Sequence, residues 1–268
     1  MDADPLSYTS LERLHTSFSQ ISCYLRCSEQ FRFRYVLGAQ PSHRSGELVF
    51  GSCVHGALAW YHQELQRTGR KPSLALVLDE FATLWAVAQQ GPMPILWPDD
   101  DSIESLSDKA TKLIELYADT HSVRRIIAVE KEFSIPLVDP ATGKELEERL
   151  DGFVDVIEED LDGRIWITEL KTSARKFDES RLSYDHQPNI YLFARLALDV
   201  PDAGVRFRVL LKSKVPRIET HELNRDSAQL AETTNVVTQV LRAIDHRIFF
   251  PNRGWQCAAC SFRYRCGG

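Results

Sequence analysis

Glu169-Leu170-Lys171 closes the apolar stretch Ile165-Trp166-Ile167 with an acid and a base two residues apart. In a strand, side chains alternate between faces, so Ile165, Ile167, Glu169 and Lys171 share one face. An apolar face ending in a charge pair is costly unless something binds there. Upstream, the segment Asp151-Gly-Phe-Val-Asp155-Val-Ile157 puts Asp151, Phe153, Asp155 and Ile157 on one face of a preceding strand. A tight turn near Gly163 would bring Asp155 close to Glu169. Two neighbouring carboxylates repel unless a hard cation lies between them, and Mg²⁺ prefers oxygen sites of this kind. The plainer alternative is a surface ion pair between Glu169 and Lys171.

Other residues could join this set. Gly51-Ser-Cys-Val-His55 opens a helix whose apolar positions are Val54, Leu58, Tyr61 and Leu65, and His55 could supply a nitrogen ligand or be an ordinary helix histidine. Gln187-Pro-Asn-Ile-Tyr191 places Gln187 and Tyr191 one turn apart. With Asp185 as N-cap, Pro188 falls in the first turn, where no backbone donor is missed. A second cluster, Cys257-Ala-Ala-Cys260-Ser-Phe-Arg-Tyr-Arg-Cys266, offers three thiolates within ten residues. A tetrahedral zinc or a cubane cluster needs four, so Cys23, Cys27 or Cys53 must supply the last.

The elements that must position these residues follow from periodicity. Apolar Phe18, Ile21, Leu25 and Phe31 lie at helical spacing within Ser17–Leu37, and helices are expected over about 51–67, 73–88 and 102–119. The pattern then changes to period two. Strands are expected at Arg125–Val138, Leu146–Glu158 and Arg164–Thr172, then a helix over about 185–198. Two more strands, Val205–Ser213 and Ile218–Leu223, precede a helix over about 226–247. The chain of 268 residues therefore reads as one α/β domain spanning 1–268. A helical insertion at about 56–125 would roof the site, and a cysteine tail lies at about 250–268.

Composition narrows the setting. The longest aliphatic run, Leu74–Leu78, is far short of a membrane span. The first residues carry early acids and no apolar core, so a cytoplasmic protein is expected, and clustered cysteines there favour metal over disulfide. The net charge of −6 argues mildly against nucleic acid, but it is uneven: residues 99–160 carry net −11 and residues 161–268 net +5. Candidate phosphate contacts are Arg32, Arg34, Arg175, Lys176, Lys212, Lys214, Arg217, Arg263 and Arg265. Tyr24, Phe31 and Tyr35 could stack on unpaired bases or pack in the core.

Taken in order, His55, Gly152-Phe-Val-Asp155, Glu169-Leu-Lys171 and Gln187-x-x-x-Tyr191 resemble the RecB-type nucleases of the PD-(D/E)XK superfamily. That group includes the exonuclease-like proteins of CRISPR spacer acquisition and the nuclease domains of helicase–nuclease repair complexes. The resemblance spans about residues 17–266. It departs at Ser28, where the family usually has proline, and at Pro188 after the motif glutamine. It implies a restriction-endonuclease-like mixed sheet flanked by helices. It also implies Mg²⁺ or Mn²⁺ on His55, Asp155, Glu169 and the Leu170 carbonyl, and catalytic roles for Asp155, Glu169, Lys171, Gln187 and Tyr191. A 4Fe-4S cluster on Cys27, Cys257, Cys260 and Cys266 would staple the chain ends, with zinc as the alternative metal and Cys23 as the substitute ligand. The implied substrate is DNA, single-stranded or at duplex ends, with CRISPR integrase or helicase subunits as partners and no membrane. The rival readings are a non-catalytic DNA-end-binding accessory subunit and a small zinc-binding interaction protein.

Overall fold

The computed structural model describes residues 16–97 and 102–266. The N-terminal stretch and most of the connector after Trp97 lie outside them, as does the end of the tail. In chain order the elements begin with β1 (Thr16–Ser17), α1 (Phe18–Arg26), α2 (Ser28–Phe31), a π-helical turn (Arg32–Val36) and β2 (Arg44–Ser45). Then come α3 (Gly46–Thr68), α4 (Leu74–Ala88), β3 (Ile95–Leu96), α5 (Ile103–Thr120), β4 (Arg125–Val138), β5 (Glu145–Glu159) and β6 (Ile165–Ser173). The last are α6 (Glu179–Tyr184), α7 (Gln187–Ala194), β7 (Gly204–Leu211), β8 (Arg217–Leu223) and α8 (Ser227–Asp245).

Six strands form one mixed sheet. β4 pairs antiparallel with β5, β5 with β6, and β7 with β8, while β6 and β7 run parallel through the α6–α7 crossover. β5 and β6 pair only over Val156–Glu159 and Ile165–Thr168, and beyond that they diverge. β1 fills part of the freed β5 edge, with Thr16 opposite Leu150. The next residues in register, Asp155 and Glu169, therefore face each other where the sheet splits.

Two apolar layers cover the sheet. On one face Ile157, Ile167, Val205 and Leu223 pack with α1, α7 and α8. On the other, Leu170 and Leu210 pack against Phe50, Val54, Leu58, Phe81, Leu113 and Ile114 of α3–α5. The helices at 56–125, expected as a roof, thus lie flat on the sheet as half of its core, because each buries an apolar stripe. Capping fixes their entries. Ser17 and Gln20 form a capping box on α1, as do Asp226 and Gln229 on α8, and Ser102 accepts from Ser105 N.

The N-terminal helix differs from its periodicity. It breaks at Cys27, an extended residue with φ −165° and ψ 106° between α1 and α2. The cause is 222 residues away in sequence. The Ser28 hydroxyl accepts from Phe250 N (2.9 Å) and donates to Phe250 O (3.0 Å), and Glu29 N donates to the same carbonyl (3.2 Å). Ser28, the departure from the family's proline, thus ties the tail to the N-terminal segment. Phe31 is buried among Tyr24, Tyr35 and Phe249, so its role is core packing rather than base stacking.

Candidate active site

β5 does not keep the alternation expected of it. Val154 and Ile157 both enter the core on the α1/α7/α8 side, while Phe153 is exposed. The ribbon turns at this point. Glu130 lies opposite Asp155 in the β4–β5 ladder and has φ +48°, a left-handed conformation that is rare for glutamate and costs about 1 kcal/mol. An extra residue in β4 between Ile126 and Ala128 adds to the local twist. The Phe153 side chain therefore does not share the site with Asp155, although its carbonyl accepts from Tyr191 OH (3.3 Å).

The strand opening collects the predicted residues. Leu170 N donates to Asp155 Oδ2 (2.7 Å), so a carboxylate replaces the next ladder bond. α3 approaches β6 closely: a Cβ on Gly51 would stand 3.0 Å from Thr172 Oγ1. One turn later, His55 Nε2 lies 2.9 Å from Asp155 Oδ2 and 3.0 Å from the Leu170 carbonyl oxygen. Glu130 Oε1 lies 3.9 Å from His55 Nδ1. Sequence reasoning missed Glu130. Its only signal is an acid interrupting the apolar run Ile126–Val129, because the backbone turn that aims it is invisible in one sequence.

A second group meets on Glu169. Its Oε1 accepts from Lys171 Nζ (2.6 Å) and Gln187 Nε2 (2.9 Å), and its Oε2 accepts from Tyr191 OH. Lys171 Nζ also donates to Gln187 Oε1 (2.7 Å), and Gln187 Nε2 approaches Tyr191 OH (2.8 Å). α7 begins at Gln187, with Pro188 in its first turn. Asp185 sits one residue before the cap position and accepts from Gln187 N (2.9 Å), which fixes the motif glutamine.

Burial and charge set the protonation states. Burial opposes the charge on His55, but the hydrogen bond and charge of Asp155, with Glu169 behind it, raise the imidazole to about 9. Burial and the Glu169 charge push Asp155 up to about 6, against the pull of His55. Burial works against an ionised Glu169, yet Lys171 and Tyr191 hold its carboxyl below the usual range. Burial likewise opposes the Lys171 charge, and Glu169 overrides it, so the ammonium is held above its ordinary value. At neutral pH the resting site holds His55⁺–Asp155⁻ and Lys171⁺–Glu169⁻.

The first pair fits a divalent cation. Adjacent ligands in an octahedral shell at about 2.1 Å stand about 3.0 Å apart, the spacing of His55 Nε2 from both Asp155 Oδ2 and the Leu170 oxygen. Imidazole, carboxylate and carbonyl donors suit Mg²⁺ or, with the softer nitrogen, Mn²⁺. His55, Glu130 and Asp155 form one compact set with metal-ligand atoms within 4.8 Å. His62, His121 and Glu158 form another. That one does not suit a cation, because Arg206 Nη2 (2.7 Å) and Arg208 Nη1 (3.1 Å) both lean on Glu158.

The cysteines occupy a separate place. Cys27, Cys257, Cys260 and Cys266 line one cavity of about 180 Å³, with Arg253 and Arg263 beside them. All six cysteines are free thiols. Cys23 is buried outside this lining, and Cys53 packs in the α3–α5 core. The tail is held by Ser42 N to Ser261 O (2.8 Å), Tyr264 OH to Gln40 O (2.7 Å) and buried Phe262 against Phe33. Among the proposed phosphate contacts, Arg34, Arg175, Lys176, Lys214, Arg217, Arg263 and Arg265 are exposed. Lys212 is not: it is buried over Phe50, 3.8 Å from Glu47. Arg32 is half-buried and clamps Glu29 through two hydrogen bonds.

Among the described residues, no helix is long and apolar enough to cross a membrane. No curated protein matches the chain. The "Putative exonuclease" of Eubacterium rectale superposes with a TM-score of 0.56 at 15% identity, over 100% of this chain and 93% of that one. The protein SSO0001 aligns with a TM-score of 0.36 at 16% identity, over 86% of this chain and 89% of that one. The first of these likenesses is one of fold: a mixed central sheet flanked by helices, as the sequence motifs imply. A family model of the PD-(D/E)XK nuclease superfamily matches residues 15–267, and the chain belongs to that superfamily.

Proposed function

We propose that this chain is a Mg²⁺- or Mn²⁺-dependent deoxyribonuclease of RecB type, an exonuclease acting on single-stranded DNA or DNA ends. The observation that carries the reading is the split between β5 and β6, which sets Asp155 opposite Glu169 with His55 and Lys171 on either side. A bound divalent ion supplies an activated water and offsets charge on the phosphorane-like transition state. His55, Asp155, the Leu170 carbonyl and Glu169 would hold it, with Glu130 at the edge of the set. Occupancy requires His55 to lose its proton and Glu169 to turn from Gln187 and Tyr191. Lys171 stays an ammonium and donates to the attacking water or a phosphate oxygen, which makes it a charged donor rather than a base. Gln187 holds Lys171 in place, and Gln187 and Tyr191 hold Glu169 until the metal draws it away. Phosphate contacts fall to the exposed Arg34, Arg175, Lys176, Lys214, Arg217, Arg263 and Arg265.

The cysteine cavity is read as a 4Fe-4S site on Cys27, Cys257, Cys260 and Cys266. A single zinc about 2.3 Å from each sulfur sets the sulfurs about 3.8 Å apart. Among the described residues, these sulfurs do not form a set that compact. A cubane core spreads its four thiolates wider, and Arg253 and Arg263 offset its negative charge. The setting proposed is cytoplasmic, in CRISPR spacer acquisition or DNA repair, beside integrase or helicase subunits. Lys171→Ala and Asp155→Ala should each lower metal-dependent cleavage of end-labelled single strands by about 10²-fold or more while the fold persists. Cleavage at the parent rate by either variant overturns the assignment. Protein purified without oxygen should be brown; colourless protein with stoichiometric zinc overturns the cluster.

A further inference from the structure

We propose that the cavity between α5, β7 and β8, on the sheet face away from Lys171, binds a phosphate group, free or carried on a mononucleotide. The cavity holds about 440 Å³ and is lined by Tyr117, His121, Ser122, Arg208, Arg217 and Thr220, among others. That volume lies within the range of small-molecule sites.

Its floor carries unmatched positive charge. Glu158 is fully buried and ionised: burial opposes its charge, but His121, Arg208 and Arg206 hold its carboxyl well below the usual range. One carboxylate thus faces two buried guanidinium groups, Arg206 and Arg208, with side chains 8% and 11% exposed. Burial keeps His62 and His121 low and neutral, so neither adds charge nor removes it. Asp160 also acts electrostatically on Arg206, so the excess positive charge centres on Arg208, in a place where lone charges are costly.

The donor geometry identifies that cation. Arg208 uses only Nη1, toward Tyr117 OH (3.1 Å) and Glu158 (3.1 Å to Oε1). Its Nε and Nη2 have no partner among the described residues, and the side chain lines the cavity. Among the described residues, the hydroxyls of Ser122 and Thr220, which also line the cavity, have no hydrogen-bond partner. Arg217 at the rim shares Glu219 with Lys176, at 3.7 and 4.0 Å. The carbonyls at the C-terminal end of α5 would repel an anion, but three of them are already engaged. Leu116 O accepts from Thr120 Oγ1 (2.6 Å), Tyr117 O from His121 N (2.8 Å) and Ala118 O from Lys71 Nζ (2.8 Å). A planar guanidinium with two free donors, flanked by hydroxyls, is suited to a phosphate oxyanion. Leu116, Pro216 and Ile218 give an apolar wall that a nucleoside could cover.

The test uses full-length protein in EDTA, which removes the cation from the cleavage site. Calorimetric titration with inorganic phosphate and with a deoxynucleoside 5′-monophosphate should show saturable binding. Arg208→Met should weaken it about tenfold or more. Arg217→Ala with Thr220→Val, both at exposed positions, should weaken it several-fold without loss of fold. Asp155→Ala should bind as the parent does, which separates this site from the proposed nuclease site. Equal affinities identify free phosphate as the ligand; tighter nucleotide binding identifies the nucleotide. Absence of saturable binding at millimolar ligand overturns the proposal, and so does binding lost in Asp155→Ala but kept in the rim variant.

Discussion

Metal loading should release protons in an amount the resting site already fixes. In the metal-free protein His55 titrates at about 9 and Asp155 at about 6, as an imidazolium–carboxylate pair 2.9 Å apart. A cation needs both deprotonated. At pH 7.5 the imidazole is almost fully protonated and the carboxylate almost fully ionised, so Mn²⁺ binding should release about one proton. At pH 9 the release should fall to about half a proton, and at pH 6 it should rise to about one and a half as Asp155 joins. The sign follows: protons compete with the metal, so apparent affinity rises about tenfold per pH unit between 6 and 9 and then levels. Calorimetric titration of Mn²⁺ in buffers of different ionisation enthalpy measures the number directly. His55→Gln removes the imidazolium proton, so the release at pH 7.5 should fall below the parent's, and what remains comes from Asp155, which rises once the pull of His55 is gone. A parent protein that binds Mn²⁺ at pH 7.5 without releasing protons would refute the pairing of His55 with Asp155.

Four further outcomes test the architecture. Ser28→Ala removes a hydroxyl that is 3% exposed and bonded twice to Phe250; unfolding free energy should fall by about 1–3 kcal/mol in urea titration. Glu158→Gln leaves Arg206 and Arg208 facing a neutral group and should cost about 3–5 kcal/mol by the same measurement. Glu130→Gly relieves the left-handed backbone, so calorimetric Tm should hold while Mn²⁺ affinity drops several-fold. Gly51→Val pushes α3 off Thr172 and should weaken Mn²⁺ binding, with circular dichroism unchanged.

The sequence carries the parts of the site that depend on local pattern. Alternation places Glu169 and Lys171 together, and a short β-turn is enough to put Asp155 opposite Glu169. Helical spacing relates Gln187 to Tyr191, which meet at 2.8 Å. What stays hidden depends on long-range contacts. The break at Cys27 needs Phe250, and Ser17–Leu37 alone reads as one helix. The turn at Glu130 moves the Phe153 side chain out of the site, yet a strict period of two predicts the opposite. Lys212 looks like a free basic residue until Phe50 and Glu47 of α3 cover it. Burial of a charge is settled by what packs on it, and single-sequence periodicity does not contain that.

The charge pattern acquires a structural meaning from the same strand. The acidic middle of the chain supplies β5, and β5 presents Asp155 and Glu158 to two places along α3, at His55 and at His62. Asp155 opens onto the gap beside β6, where its neighbours are an imidazole, a carbonyl and a second carboxylate, a donor set balanced at rest by the protons on His55 and Lys171. Glu158, three residues on, meets Thr168, Arg206 and Arg208 of β6 and β7 beside His62 of the same helix, a set rich in positive charge. The parallel register explains the proximity: Leu170, whose carbonyl contacts His55, pairs with Arg208 across β6 and β7. One strand thus carries a site that lacks a cation once its protons leave and, three residues on, a site short of an anion. Each deficit is tolerable while water or a neighbouring group screens it, and each is relieved by a ligand of opposite sign. An enzyme that splits a phosphodiester at the first and holds a phosphate at the second would use both.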